Sequence, residues 1–264
     1  MDVQFWIDKV LGLDLEVFHF LSYNLFFFGI VVVISLQFLS TPYGRYARGG
    51  WGVEVNANLA WFIQEIPAFL VPILLVYYVE CPKLAHTPNK ILLGLFLFHY
   101  FQRSIIYPLL IRGGKPTPLI PFVLAFVFCV CNGYLQAGYI IKYADFGSKW
   151  MWNLRFYLGV CLFFMGMFTN LQADHILRNL RKPGETGYKI PRGGMFEYVS
   201  GANFFGEILE WFGFAVANGS ISAFSFFFFT LCNIGPRACH HHQWYKQKFE
   251  DYPPERKALI PFIL

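Results

Sequence analysis

Charge is scarce in this sequence. Only 14% of its 264 residues are Asp, Glu, Lys or Arg, where an ordinary soluble domain carries about 25%. A soluble domain of this length would need far more polar surface to cover its core. The basic residues form no Lys/Arg-rich block, so a nucleic-acid-binding patch is excluded. Paired C-x-x-C motifs are absent. The six cysteines (Cys81, Cys129, Cys131, Cys161, Cys232 and Cys239) fall mostly inside apolar runs, and no even framework of loop cysteines is present. They read as small buried hydrophobes. Cys129 and Cys131 have no neighbouring His or carboxylate to complete a metal site. G-x-G-x-x-G, G-x-x-x-x-G-K-[ST] and G-x-S-x-G are missing too. A nucleotide held by a Rossmann or P-loop fold is therefore excluded. His240, His241 and His242 are consecutive, and on a helix such neighbours point about 100° apart, so they cannot share one ion. No metal is expected. The N-terminus lacks a basic region and a small-residue cleavage site, so no cleaved signal peptide is expected.

What is present is apolar. Hydrophobic residues make up 56% of the chain and aromatics 20%, with 32 Phe and a mean hydropathy of +0.44. The bilayer is the solvent this composition suits. A spanning helix needs about 20 mainly apolar residues, and seven stretches qualify: 17–40, 56–79, 90–111, 118–141, 153–173, 199–218 and 221–236. The sequon at Asn218 reads as a turn between the last two. With no internal repeat or low-complexity linker, residues 1–264 form one all-α, polytopic domain. Of the 21 Lys and Arg, fourteen flank one side, six flank the other, and Arg103 lies inside a span. The richer side is cytosolic. This places the N-terminus outside and the C-terminus in the cytosol.

Ionisable groups inside spans are costly and tend to mark function. Helical spacing sorts those found here. Asn58, Trp61 and Glu65 share a face of span 2, and Tyr100 and Arg103 lie in span 3. Asn170, Asp174 and Arg178 step by four along span 5. Asn203 and Glu207 do so in span 6, with Glu210 and Trp211 following. Arg237, His241 and Tyr245 step by four if the last helix continues into the cytosol. Glu65 and Tyr100 sit about 14 and 16 Å from the cytosolic ends of their spans at 1.5 Å per residue, so a carboxyl and a phenol can meet near mid-membrane. A structural alternative has Glu207 or Glu210 pairing with Arg178 or Arg237 to hold helices together. Trp61 and Trp211, taken singly, read as packing residues. Glu65 resists a structural reading, since no basic residue lies near it in sequence or at its depth on span 2.

Five segments carry a resemblance: 60–67 (AWFIQEIP), 92–110 (LLGLFLFHYFQRSIIYPLL), 131–139 (CNGYLQAGY), 180–211 and 237–264. They resemble the corresponding parts of steroid 5α-reductases from about residue 56 onward, while residues 1–55 match poorly. The resemblance implies a seven-span reductase that transfers hydride from NADPH to C5 of a 3-oxo-Δ4 steroid. It puts Gln64, Glu65 and Tyr100 at the steroid 3-ketone, with Trp61 on the same helix face. It puts NADPH on Asn170, Asp174, Arg178, Arg181, Tyr188, Asn203, Glu207, Arg237, His241 and Tyr245, with Arg112 beside them. At Ile111, before Arg112, the family carries Asn.

The chemistry suits these residues. Hydride addition to an enone drives negative charge onto the ketone oxygen, which then needs donors in a dry site. A neutral carboxyl and a phenol can supply them, as in the handful of enzymes that pair a protonated Asp with a Tyr. The Arg-rich cytosolic mouth suits a 2′-phosphate. A monomer is expected, in the endoplasmic reticulum membrane of a eukaryote or the inner membrane of a bacterium. Rival expectations are reduction of another lipid enone, a polyprenol or an enoyl-CoA, or non-catalytic sterol binding or transport.

Overall fold

The computed structural model describes residues 9–147, 149–182 and 184–264. Residues 1–8, the start of the stretch read as lacking a cleavable signal, lie outside the described residues. So do Ser148 and Pro183, the latter within the matched segment 180–211. The described chain is helical. Its strands are one two-residue antiparallel pair, β1 (Glu54–Val55) with β2 (Thr117–Pro118).

Local sequence sets the helix ends. Helix α1 is Leu15–Phe38. Asn56 caps α2 (Ala57–Tyr78) by accepting from the Asn58 and Leu59 amides, as short polar side chains do at N-termini. Pro88 lies in the first turn of α3 (Thr87–Phe101), where its missing N–H costs nothing. A π turn, Gln102–Ile106, leads from α3 into α4 (Tyr107–Leu110). Next come α5 (Leu119–Lys142) and α6 (Leu154–Arg178), the latter capped by Asn153. The sequon is indeed a turn: α7 (Ala202–Asn218) ends on Gly219 at φ 73°, and Ser220 caps α8 (Ile221–Lys248).

Four of these helices are long and apolar enough to cross a membrane: α1, α2, α5 and α6. Their outer faces carry exposed Phe20, Phe27, Phe28, Leu74 and Leu124, an apolar perimeter that water does not tolerate at this scale. The protein is an integral membrane protein. Some expected bounds shift. The sixth helix starts at Ala202 rather than 199, because residues 198–201 pair with the C-terminal segment instead. The fifth continues to Arg178, so Asp174 lies inside it. The last runs past Pro236 to Lys248, which puts Arg237, His241 and Tyr245 on one continuous helix. Cys131 and Cys161 are exposed on the apolar perimeter, and only Cys129 and Cys232 are fully buried. Apolar spacing could not tell a lipid-facing thiol from a core one.

Small residues bring the helices together, as expected where lipid removes any hydrophobic drive between spans. Gly159 and Gly166 of α6 face Ala217 and Glu210 of α7, backbone against backbone. Gly206 and Gly213 of α7 do the same against Asn170 and Phe163 of α6. Gly133 of α5 lies against Ala68 and Pro67 of α2, and Gly29 of α1 against Phe228 of α8. Outside the helices, the C-terminal segment is latched by backbone bonds from Ser200 to Lys257 (2.9 Å) and Gly201 to Ala258 (3.0 Å). The buried Arg256 donates to Pro191 O at 3.0 Å and approaches Glu197 at 3.4 Å. The Gly193 amide, with Arg256 and Arg192, holds the Glu197 carboxyl below its usual range.

The α6–α7 contact generates a prediction. A methyl at Gly206 would overlap Asn170 N and Cα and the Gly166 carbonyl. Gly206→Ala should lower stability by about 1–3 kcal/mol through overpacking, read as a lower Tm in detergent. Gly94→Ala, in α3 with open space at its Cβ position, is the control and should be neutral or stabilising. An unchanged Tm for Gly206→Ala would refute the close contact.

Candidate active site

One cation organises the polar centre. Arg103, on the π turn after α3, stands 3.2 Å from Asp174 of α6 and 3.9 Å from Glu207 of α7. Its guanidinium lies 4.6 Å from the Trp61 ring of α2 and 4.4 Å from Tyr107 of α4, within cation–π range. Glu65 lies one turn along α2 from Trp61, whose ring this guanidinium faces, so the nearby cation comes from another element of the fold. The structural alternative for the α7 acids takes a different form. Glu207 faces Arg103, and Glu210 binds His99 Nδ1 at 2.7 Å, both side chains nearly inaccessible. Neither pairs with Arg178 or Arg237. Those arginines lie elsewhere along their helices, whereas His99 of α3 and Arg103 of the π turn after it meet α7.

The proposed ketone-binding residues converge on the same centre. Gln64 Nε2 lies 3.5 Å from Glu65 Oε1, and the Cys129 thiol 3.6 Å from Glu65 Oε2. The Tyr100 hydroxyl accepts from Asn132 Nδ2 at 3.1 Å, three residues along α5 from Cys129. Its ring packs on Phe96 and beside Trp211. Trp61 meets Tyr107 edge-on at 5.1 Å, and Asn58 donates to Pro108 O at 2.8 Å. The shared face of α2 therefore addresses α4. Trp211 is 1% exposed and sits among Phe96, His99 and Phe226, as a packing residue. A cleft of about 390 Å³ is lined by Phe98, Phe101, Ile106 and Leu110 of the α3–α4 segment and by Met167, Leu171, Asp174 and Arg178 of α6.

A second cluster gathers cations and aromatic rings. Arg45, in the loop after α1, donates to Tyr245 OH at 3.1 Å and lies over Trp244 at 4.6 Å and Tyr188 at 5.5 Å. His241 is sandwiched between Tyr46, which it also meets through Nδ1 at 3.1 Å, and Phe204. Burial pushes the Tyr46 phenol up, against the pull of Arg45. Arg237 lies over Tyr43 and Phe204, and Arg181 over Tyr188. Sequence reasoning named Arg181, Tyr188, Arg237, His241 and Tyr245 here. It missed Tyr43, Arg45 and Tyr46, which stand on a loop without helical periodicity, and it missed His99 inside an aromatic run. Three further named residues have other partners. Asn170 joins α6 to α7 through Asn203 O at 2.9 Å, with the Asn203 backbone as its partner. Arg112 reaches Asn179 at 2.9 Å.

The second cluster has the donor chemistry of an anion site. Arg45 Nη1, Arg237 Nε and His240 Nδ1 are buried without a partner. Buried polar atoms without a partner are rare and costly. Guanidinium donors beside aromatic faces fit the phosphates and rings of a dinucleotide.

Comparison with known proteins follows this geometry. Residues 115–264 match the family model described as 3-oxo-5-alpha-steroid 4-dehydrogenase. The chain is 51% identical over 238 residues to 3-oxo-5-alpha-steroid 4-dehydrogenase 1 of Rattus norvegicus, covering 90% of this chain and 92% of that protein. With the type 1 protein of Homo sapiens the identity is 48% over 235 residues, covering 89% and 91%. With 3-oxo-5-alpha-steroid 4-dehydrogenase 2 of Homo sapiens it is 52% over 210 residues, covering 80% and 82%. The type 1 matches are too long to begin at residue 56. They reach into residues 1–55, so the likeness does not stop near residue 56 as expected.

The Arg103 centre can be tested directly. Arg103→Leu leaves Asp174 and Glu207 without their cation, and breaking a buried pair in this way costs about 3–5 kcal/mol. The expected result is a large loss of folded protein in detergent, with Arg103→Lys intermediate. Wild-type Tm for Arg103→Leu would show that the two acids are solvated rather than held by this guanidinium.

Proposed function

The chain belongs to the 3-oxo-5-alpha-steroid 4-dehydrogenase family, and on that premise we propose that it reduces the Δ4 double bond of a 3-oxo-Δ4 steroid, giving the 5α-reduced 3-oxo product. As a member of that family it is an oxidoreductase acting on a CH–CH bond. NADPH, when bound, supplies the hydride that adds at C5. The cationic aromatic cluster supports that choice, and Arg45, Arg181, Arg237, His241, Tyr188 and Tyr245 would hold the cofactor. Asn170, Asp174, Arg178, Asn203, Glu207 and Arg112 complete the proposed cofactor set at the cytosolic ends of α3–α4, α6 and α7.

The carrying observation is that α5 joins the two groups: Cys129 meets Glu65 at 3.6 Å, and Asn132, three residues on, meets the Tyr100 hydroxyl at 3.1 Å. In the proposed mechanism Gln64, Glu65 and Tyr100 face the 3-ketone, and Trp61 walls the site. Glu65 and Tyr100 donate hydrogen bonds to the ketone oxygen as it gains negative charge, which lowers the barrier because donors fixed in place need no reorganisation. A proton then adds at C4, from Tyr100 or from water. Burial of the centre keeps bulk water from quenching these contacts. The apolar steroid reaches it from the bilayer.

The kinetic test separates roles. Tyr100→Phe should lower kcat by ~10²–10³, the loss typical of one oxyanion donor, with little change in KM. Glu65→Gln keeps a donor and should retain more activity than Glu65→Leu. NADPH should be preferred over NADH, and its affinity should survive all three changes. Near-normal kcat in both Tyr100→Phe and Glu65→Leu would mean that this pair does not carry the reaction. NADPH binding without turnover of any 3-oxo-Δ4 steroid would favour another lipid enone as substrate.

The proposed topology has seven spans. The α3–α4 segment with its π turn, α7 and the apolar half of α8 join the four long helices. The N-terminus lies outside, and the C-terminus lies in the cytosol of a cell whose endoplasmic reticulum or inner membrane holds the protein as a monomer. A reporter fused after Leu264 should be cytosolic and one at the N-terminus external. Both on one side would overturn the arrangement.

A further inference from the structure

Tyr100 sits at the end of a buried chain of amides. Asn132 Nδ2 donates to its hydroxyl at 3.1 Å, and Asn132 Oδ1 accepts from Gln136 Nε2 at 3.3 Å. Gln136 Nε2 also donates to the backbone carbonyl of Ser222, in the first turn of α8, at 2.9 Å. Tyr100, Asn132, Gln136 and Ser222 are each no more than 3% exposed, so water is not available to rearrange the chain. Asn132 and Gln136 are four apart on α5, one above the other on the same face.

The direction of this chain is fixed at its far end. Oxygen and nitrogen of an amide are told apart by the partners they meet, and a backbone carbonyl can only accept. Ser222 O therefore turns the NH2 of Gln136 toward itself and leaves Gln136 Oε1 without a partner. The second hydrogen of that NH2 takes Asn132 Oδ1. Asn132 must then present its own NH2 to Tyr100. The phenol oxygen is used as an acceptor, and its proton is left unengaged within the chain.

We propose that Asn132 and Gln136 are positioning residues that hold Tyr100 as a hydrogen-bond donor toward its ligand. Gln136 acts two bonds away by preventing Asn132 from flipping. A flipped Asn132 would offer Oδ1, which captures the phenol proton and withdraws it from the pocket. Ser222, through its carbonyl, makes the first turn of α8 the reference point for the polarity of a group on α3. This inference rests on the reading of Tyr100 as a donor to the substrate ketone.

The test is a double-mutant cycle on the purified protein, with NADPH and a 3-oxo-Δ4 steroid under steady state. Gln136→Leu should lower kcat roughly 3- to 30-fold, within the coupling range of contacting residues, with KM within about twofold. The same change should have no further effect in an Asn132→Leu or a Tyr100→Phe background, where there is no amide to flip or no phenol proton to capture. Gln136→Met, closer in length, replaces Leu if that variant does not fold. An equal loss in all three backgrounds would show a merely structural Gln136 and overturn the inference while leaving the Tyr100 reading intact. Wild-type kcat for Tyr100→Phe alone would overturn both, and the pattern of variants distinguishes the two failures.

Discussion

The guanidinium of Arg103 is the group on which the interior arrangement depends. A lone cation in a hydrocarbon interior is strongly unfavourable, and this one is stabilised by two carboxylates and two aromatic faces. Those partners come from four elements: Trp61 from α2, Tyr107 from α4, Asp174 from α6 and Glu207 from α7. Any rearrangement that separates α6 or α7 from the guanidinium leaves a carboxylate in the membrane without its cation. The centre therefore acts as a tie between helices whose apolar surfaces alone, equally at home against lipid, would give little preference for one packing.

Around that tie the glycines determine how closely α6 and α7 approach. Their backbones meet at Gly159, Gly166, Gly206 and Gly213, which brings Asp174 and Glu207 to the same guanidinium. Close approach and charge pairing thus support each other. The His99–Glu210 bond adds a second buried polar link between α3 and α7. Through these links α3, its π turn, α6 and α7 are held in one register around Arg103 and beside Tyr100.

Much of this was legible in the sequence, for identifiable reasons. Helical spacing alone put Asn58, Trp61 and Glu65 on one face, and that face does meet α4 and Arg103. The stepping of Arg237, His241 and Tyr245 gave a stripe on a helix that does extend to Lys248. What spacing cannot supply is which helix lies opposite. Glu210 was therefore matched to distant arginines when its partner is a histidine on α3. Arg45 and Tyr46 escaped notice because a loop has no period to betray a shared face. They also fall where the motifs thin out, although the relatives align there too.

The π turn at Gln102–Ile106 gives this segment two angular phases. Before it, His99 and Tyr100 are aligned with Glu210 of α7 and Asn132 of α5. After it, Tyr107 and Pro108 are aligned with Trp61 and Asn58 of α2. An ordinary α-turn in its place would advance each later residue by about 100° per residue removed, swinging the second set out of phase with the first. The spacing between Phe101 and Tyr107 is thus a constraint as strict as any side chain in it: deleting Ile105 or Ile106 would spare every polar group named and still take the site apart.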